Sequence, residues 1–310
     1  MAQDAFADTA EQAFAERMAR RAGEIARLLD DLLTPDVQEG EIARPARLVE
    51  AMRHGALNGG KRLRPFLLME AAEMLGGPPT GALRAAAALE CVHCYSLIHD
   101  DLPAMDDDDL RRGKPTVHKA YDEATAILAG DALLTLAFDI LADPATHADP
   151  AIRSQLVLSL ARASGLGGMA GGQMLDLAAE GQPLGREAIA QLQSMKTGAL
   201  IRQACEAGAI VAGARPQELE ALQRFGDLAG KAFQLADDLL DVTQSTQTLG
   251  KQAAKDRDRG KATLVSLLGV AESRRIAADL LDAAIGELAP FGAKAAWLAD
   301  AARFIVGRTH

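Results

Sequence analysis

The sequence predicts an all-α fold, and three observations carry that prediction. Alanine and leucine recur throughout, aromatic residues make up only 4%, and runs of valine, isoleucine and threonine are few, so intrinsic propensity favours helix over sheet. Apolar residues repeat at helical spacing in one segment after another, with no alternating strand pattern of useful length between them. Hydrophobic residues at 49% against 25% charged supply enough apolar surface for a large core. No repeat, low-complexity linker or shift in composition divides the chain, so residues 1–310 read as a single domain.

The first element is an amphipathic helix, with Phe14, Met18, Ile25, Leu28, Leu29, Leu32 and Leu33 on its apolar side and Thr34-Pro35 closing it. A second runs from about Pro45 to Leu57 and stops at Asn58-Gly59-Gly60, where glycine takes positive φ without penalty. Pro65 suits the first turn of a third, which ends at Gly76-Gly77-Pro78-Pro79. A fourth spans about 81–101, because Pro103 lacks an amide hydrogen and disfavours helix in the residue before it. Further helices are predicted at about 122–142, 151–164, 168–179, 186–213, 216–244, 261–286 and 293–307.

Net charge and cysteine usage exclude several classes of function. A formal charge of −10 opposes nucleic-acid binding, which needs a basic footprint. Cys91, Cys94 and Cys205 are too few for a disulfide scaffold, and Cys91-x-x-Cys94 has neither a second pair for zinc nor a strand–helix redox context. Two buried helical thiols are the simpler reading. The N-terminus carries acids and no apolar h-region, and the longest apolar stretch, AILAGDALLTLAF, is interrupted by Asp131. A soluble, cytoplasmic protein without membrane or nucleic-acid partners is expected.

The chemistry concentrates in two acidic clusters. From Asp100 to Arg112, six carboxylates and two guanidinium groups occupy thirteen residues, part of them at the negative end of a helix. Alone, such a run reads equally well as a solvated loop. It is not an EF-hand, since Leu110 and Arg111 fall where a ligand and a glycine are required. The second cluster, Gln234-Leu-Ala-Asp237-Asp238-Leu-Leu-Asp241, places Asp237 and Asp241 four apart on a helix whose other neighbours are apolar. Acids in such a setting need a metal or strong donors. Two carboxylate clusters on facing helices suit magnesium, which keeps waters and completes its octahedron with phosphate oxygens. Direct donors for a diphosphate are available in Gly59-Gly60-Lys61-Arg62-Leu63-Arg64-Pro65 at a helix start. Lys251, Lys255 and Lys261 lie in a polar segment suited to a lid.

GGKRLRP, CVHCYSLIHDDLPAMDDDDLRRG, ILAGDALLTLAF, GGQMLDLAAEG, KTGALIRQA, FQLADDLLDV and LGKQAAKDRDRGKAT follow one another across nearly the whole chain. In this order they resemble the trans-type polyprenyl diphosphate synthases, most closely the bacterial farnesyl diphosphate type. The resemblance implies one large helical bundle around a deep central cavity, usually a homodimer, acting by ionisation, condensation and elimination. It implies three magnesium ions, two on Asp100 and Asp106 and one on Asp237, with Asp101 and Asp241 orienting metal-bound water. Arg111, Lys196 and Lys251 are then expected to bind the allylic diphosphate. Gly60, Lys61, Arg64, His93 and Arg112 are expected to bind isopentenyl diphosphate without metal, and Lys261 to join the phosphate-closing segment. Thr197 and Gln234 become the dipoles facing the allylic cation.

Around these, Gln173 and Asp176 are expected to support Lys196, and a buried Asp131 to play a similar part. An aromatic residue five positions before the first Asp limits the product to fifteen carbons in this family, so Tyr95, followed by Ser96, points to farnesyl diphosphate. A geranylgeranyl or geranyl diphosphate synthase is the alternative within the class. A terpene cyclase would lack GGKRLRP and the second DDxxD, and a non-catalytic regulatory partner subunit would have lost an Asp cluster or the Arg pair. The chain departs from the family pattern at Leu264-Val265, where Tyr-Pro is usual.

Overall fold

Helix α4 (Pro79–Asp100) is the spine on which the first part of the molecule is built. Its run of Ala85, Ala86, Ala87 and Ala88 is buried, and these small side chains let neighbouring helices approach closely. The computed structural model describes residues 2–179, 181–182, 184–247 and 263–307, and they fall into two compact units. The first unit is Met1–Met69 with Pro78–Val157, and the second is Glu70–Gly77 with Leu158–His310. The described residues are all-α but for one short hairpin.

In the first unit, α1 (Ala2–Leu32), α2 (Ala46–Ala56) and α6 (Glu123–Ala142) pack against α4. Phe14, Met18, Ile25, Leu29 and Leu33 bury the predicted stripe of α1, and Phe14 meets Phe66 edge to face with ring centroids 5.4 Å apart. Phe66, Leu67 and Leu68, at the start of α3 (Leu63–Met74), are fully buried, each worth about 1.5–3 kcal/mol of apolar transfer. Between α4 and α6 lie a hairpin of β1 (Leu110–Arg111) and β2 (Lys114–Pro115) and the short α5 (Val117–Ala120). Neither was visible as a periodic pattern, because two-residue strands carry no alternation.

Helix α6 is long and apolar enough, by length and composition, to cross a membrane. It behaves instead as a core helix, burying Ala126, Ala129, Gly130, Leu133, Ala137, Ile140 and Leu141. The expected burial of Asp131 is overturned: it lies on the exposed side of α6, alongside Ile127 and Leu128. The apolar stretch around it suggested burial, but Asp131, Ile127 and Leu128 are exposed.

The second unit contains α8 (Met169–Ala178), α9 (Arg186–Gln193), α10 (Ala199–Val211), α11 (Pro216–Gln247), α12 (Leu264–Leu268), α13 (Val270–Glu287) and α14 (Ala296–Gly307). Helix α7 (Pro150–Ser164) precedes them in the chain. The single helix expected over 186–213 is interrupted by a π turn at Ser194–Gly198, and that expected over 261–286 breaks at Gly269, whose φ is 80°. Helix α11 crosses α10 and the π turn through small residues: a Cβ on Gly226 would lie 2.7 Å from the Arg202 Cα, and one on Gly230 3.1 Å from the Gly198 Cα. Leu235, Val265 and Ala277 form a cluster completed by Leu239, Leu264, Val270, Ile276 and Val306. The unusual Leu264-Val265 pair therefore serves apolar packing.

Candidate active site

Helix α4 presents the first set of functional side chains in order along its last two turns. His93 and Asp100 are seven residues apart, hence on one side of the helix and about 10 Å apart along its axis. Past Asp100 the chain folds back at once, with the Asp106 amide donating to the Asp100 carbonyl at 2.7 Å and the Asp108 amide to the Asp101 carbonyl at 3.2 Å. Asp107 completes this turn with φ at 50°. The acidic run is thus a tight loop capping α4, with Asp100 and Asp106 both partly buried.

Asp101 is only 3% exposed, and both its oxygens are taken by Arg111, with Nε at 2.8 and 3.0 Å and Nη2 at 2.6 Å. Burial raises the Asp101 carboxyl above its ordinary range, and the Arg111 guanidinium opposes that rise. This bidentate hold fixes Arg111 near Asp108 and Asp100, whose charges act on it. Among the described residues, no three His, Cys, Asp or Glu side chains gather closely enough to form a metal cage. Part-buried carboxylates of this kind suit a hard cation that takes most of its oxygens from water and substrate.

At the other end of the same helix face lies a basic group with different chemistry. Gly59, Gly60 and Arg62 all have positive φ, at 74°, 116° and 49°, and the resulting turn leaves Lys61 exposed. The Arg112 guanidinium donates to the Gly59 carbonyl and lies flat against Gly60, where a Cβ would sit 2.5 Å from Nη1. Glycine at 60 is therefore what lets Arg112 reach the turn. Arg64 Nη1 faces His93 Nε2 at 3.4 Å, so the imidazole nitrogen accepts there. Burial, with Arg64, Arg112, Arg62 and Arg111 nearby, pushes His93 well below the usual imidazole range. In this state His93 is a neutral acceptor within a ring of cations.

Tyr95 is partly buried and stands edge-on to His99, ring centroids 5.7 Å apart. His99 is itself fixed by the Ile127 carbonyl at 3.0 Å and by Gly130, where a Cβ would lie 2.1 Å from its Nε2. Sequence reading missed His99 and Gly130 as supports for Tyr95. The signal was present in glycine midway along an apolar helix. The Ser96 hydroxyl donates to the His93 carbonyl at 2.9 Å.

In the second unit the π turn carries Lys196 and Thr197, both partly buried. Lys196 Nζ pairs with Asp176 Oδ2 at 2.5 Å, while Gly172 permits close approach, since a Cβ there would meet the Lys196 backbone nitrogen at 2.2 Å. Asp176 is therefore placed on Lys196 as expected, and Gln173 is partly buried on the same helix. On α11, Asp237 is partly buried and Asp241 exposed, so that face is more open than its apolar neighbours suggested.

The most enclosed acid on α11 is Asp238, 5% exposed and not among the expected ligands. Gln193 Nε2 donates to its Oδ2 at 2.8 Å and Gln234 Nε2 to its Oδ1 at 3.0 Å. Burial raises its carboxyl, opposed by Gln234, Gln193 and the Leu264 amide. Lys251, Lys255 and Lys261 lie outside the described residues. Cys91, Cys94 and Cys205 are free and buried, and burial raises the Cys94 thiol to about 12, so none is a reactive thiol.

Comparison with known proteins matches this arrangement. The chain is 51% identical over 237 residues to the farnesyl diphosphate synthase of Escherichia coli (strain K12), covering 76% of this chain and 79% of that one. It is 40% identical over 267 residues to the farnesyl diphosphate synthase of Geobacillus stearothermophilus, covering 86% and 90%. The crystal structure of an FPP/GFPP synthase from Zymomonas mobilis aligns with a TM-score of 0.85 at 44% identity, over 96% of this chain and 99% of that one. The profile of the family described as Polyprenyl synthetase matches residues 45–294, a span that takes in the glycine turn, both acidic clusters and the π turn. A chain that carries all of these in register belongs to the polyprenyl synthetase family.

Proposed function

We propose that this protein is a prenyltransferase that condenses isopentenyl diphosphate with dimethylallyl or geranyl diphosphate to give farnesyl diphosphate. One observation carries the reading. One face of α4 has Asp100 at its end and, about 10 Å back along the axis, His93 with Arg64 and Arg112 beside it, next to the turn that exposes Lys61. Two diphosphates of different fate are served by two such sites. The one that leaves gains from metal neutralisation, while the one that stays needs only positioning.

In this reading Asp100, Asp106 and Asp237 hold magnesium, three ions in all, with Asp101 and Asp241 orienting bound water. The metal supplies charge neutralisation of the allylic diphosphate as its carbon–oxygen bond breaks. Arg111, held by Asp101, and Lys196, held by Asp176, are assigned as donors to the allylic diphosphate, together with Lys251 and Lys261 from the segment outside the described residues. Thr197 and the Gln234 amide oxygen orient dipoles toward the allylic cation without offering it a strong nucleophile. The double bond of isopentenyl diphosphate, held by Gly60, Lys61, Arg64, His93 and Arg112, attacks that cation. The departing diphosphate takes the proton that restores the double bond. One catalytic domain, a homodimer and a cytoplasmic location complete the proposal.

The test is to incubate the purified protein with dimethylallyl diphosphate, isopentenyl diphosphate and magnesium, with and without chelator, and identify the alcohols after dephosphorylation. Farnesol that disappears with chelator is the expected result. Geraniol or geranylgeraniol would keep the chemistry and move the product length. No product under any condition would favour a non-catalytic partner subunit, a reading that retention of both acidic clusters opposes.

A further inference from the structure

The glycine turn that presents Lys61 and Arg64 is tied down by a pair of charges that no substrate-binding role requires. Arg62 is 6% exposed and Glu90 1% exposed, and they meet in a buried ion pair between the turn and α4. The Arg62 guanidinium also donates to the Ala56 carbonyl, at the end of α2, and to the Cys94 sulfur at 3.5 Å. One side chain thus joins the end of α2, the turn and α4. The second Glu90 oxygen, Oε2, has no hydrogen-bond partner among the described residues.

This arrangement is expensive. Desolvating two charges opposes folding before their attraction is counted, and apolar residues of similar volume often give equal or greater stability. Arg62 also sits in the left-handed region at φ 49°, a conformation that disfavours any residue with a Cβ. Stability is a poor reason to keep such a pair, whereas fixed geometry is a good one. With Arg62 turned inward, its neighbour Lys61 is exposed, and Arg64, two residues on, faces His93. Arg112 holds the outer side of the same turn through Gly59.

We propose that Arg62 and Glu90 are positioning residues that lock the Gly59–Arg64 turn onto α4, setting Lys61, Arg64 and His93 at the spacing of one diphosphate. This rests on the prenyltransferase reading and assigns the pair to the substrate that does not ionise. The contacts that hold the pair run to Ala56 and Cys94, on α2 and α4, so the allylic diphosphate site is expected to respond little to its removal. Arg62→Lys keeps a positive charge but loses the fork that reaches Glu90 and Ala56 together. Arg62→Met combined with Glu90→Leu removes both charges and leaves no buried ion unpaired.

Steady-state kinetics with isopentenyl diphosphate, geranyl diphosphate and magnesium, read beside thermal melting, test the proposal on the full chain. The double variant is expected to melt at or above the wild-type temperature, yet to raise KM for isopentenyl diphosphate about tenfold or more. Its KM for geranyl diphosphate should stay within about twofold, a split that general loosening would not produce. Arg62→Lys is expected to show the same split. A folded double variant with wild-type KM for isopentenyl diphosphate would overturn the proposal, as would equal rises in both KM values. Failure of both variants to fold would make the pair a folding element and overturn its positioning role. Absence of product from the wild-type protein would instead remove the enzymatic reading, and this proposal with it.

Discussion

Gln234 donates its side-chain amide to Asp238 at 3.0 Å, and Gln193 occupies the other carboxylate oxygen at 2.8 Å. A carboxylate only accepts, so both glutamines must turn their NH2 groups toward it and their oxygens away. Asp238 thereby decides which end of Gln234 is free, and the free end is the oxygen that would face a developing cation.

Asp238→Asn replaces one accepting oxygen with a donor, and one glutamine must then reverse or lose its bond. We expect kcat to fall about tenfold to a hundredfold with both KM values nearly unchanged, since the oriented dipole acts in the transition state. Gln193→Leu should give a smaller fall in the same sense. Wild-type kcat in Asp238→Asn would sink the account, because the amide orientation would then be immaterial.

The acids on the two helices carry a separate expectation. Asp100→Ala and Asp237→Ala should each lower condensation by at least about a thousandfold, the scale of a lost electrostatic element, while far-UV circular dichroism keeps its helical signature. Neither acid belongs to the buried core. Turnover within tenfold of wild type in either variant would remove that residue from the metal set.

The helices were legible because each buries an apolar stripe, as α1 does with Phe14, Met18, Ile25 and Leu29. Both acidic clusters and the glycine turn stood out in the sequence because charge so dense is costly without a compensating group. What escaped has a common cause: the π turn under Lys196 and the clamp on Asp238 depend on contacts between segments far apart in the chain. The Asp101–Arg111 pair escaped for a similar reason, since only the return of the loop brings the guanidinium to the carboxylate. Asp131 was misplaced because composition cannot tell which side of an apolar helix stays uncovered.

His93 makes stability depend on pH in a defined direction. Its folded pKa lies below the ordinary 6.5, so below about pH 6.5 the unfolded chain binds more protons than the native one. The stability tied to the neutral imidazole is complete above that pH and is lost as pH falls toward the folded value, by at most about 1.4 kcal/mol per pH unit. Denaturant titrations at pH 7.5 and 5.5 should show His93→Gln losing less stability than wild type across that interval. Equal losses would mean that folding leaves the His93 pKa unshifted.

Product length is where geometry makes the sharpest demand. Tyr95 is backed by His99, which is held in turn by the Ile127 carbonyl and by the space that Gly130 leaves empty. If Tyr95 is the floor that stops elongation, removing its ring should lengthen the product, and Tyr95→Ala is expected to shift farnesol toward geranylgeraniol after dephosphorylation. Gly130→Ala is the more searching variant, because its methyl cannot coexist with His99 in place and should displace the ring that supports Tyr95 without touching Tyr95 itself. A mixture of fifteen- and twenty-carbon products is expected from it. An unchanged fifteen-carbon product from Tyr95→Ala would place the floor on another helix. A shift in Tyr95→Ala with none in Gly130→Ala would show that Tyr95 holds its position without His99.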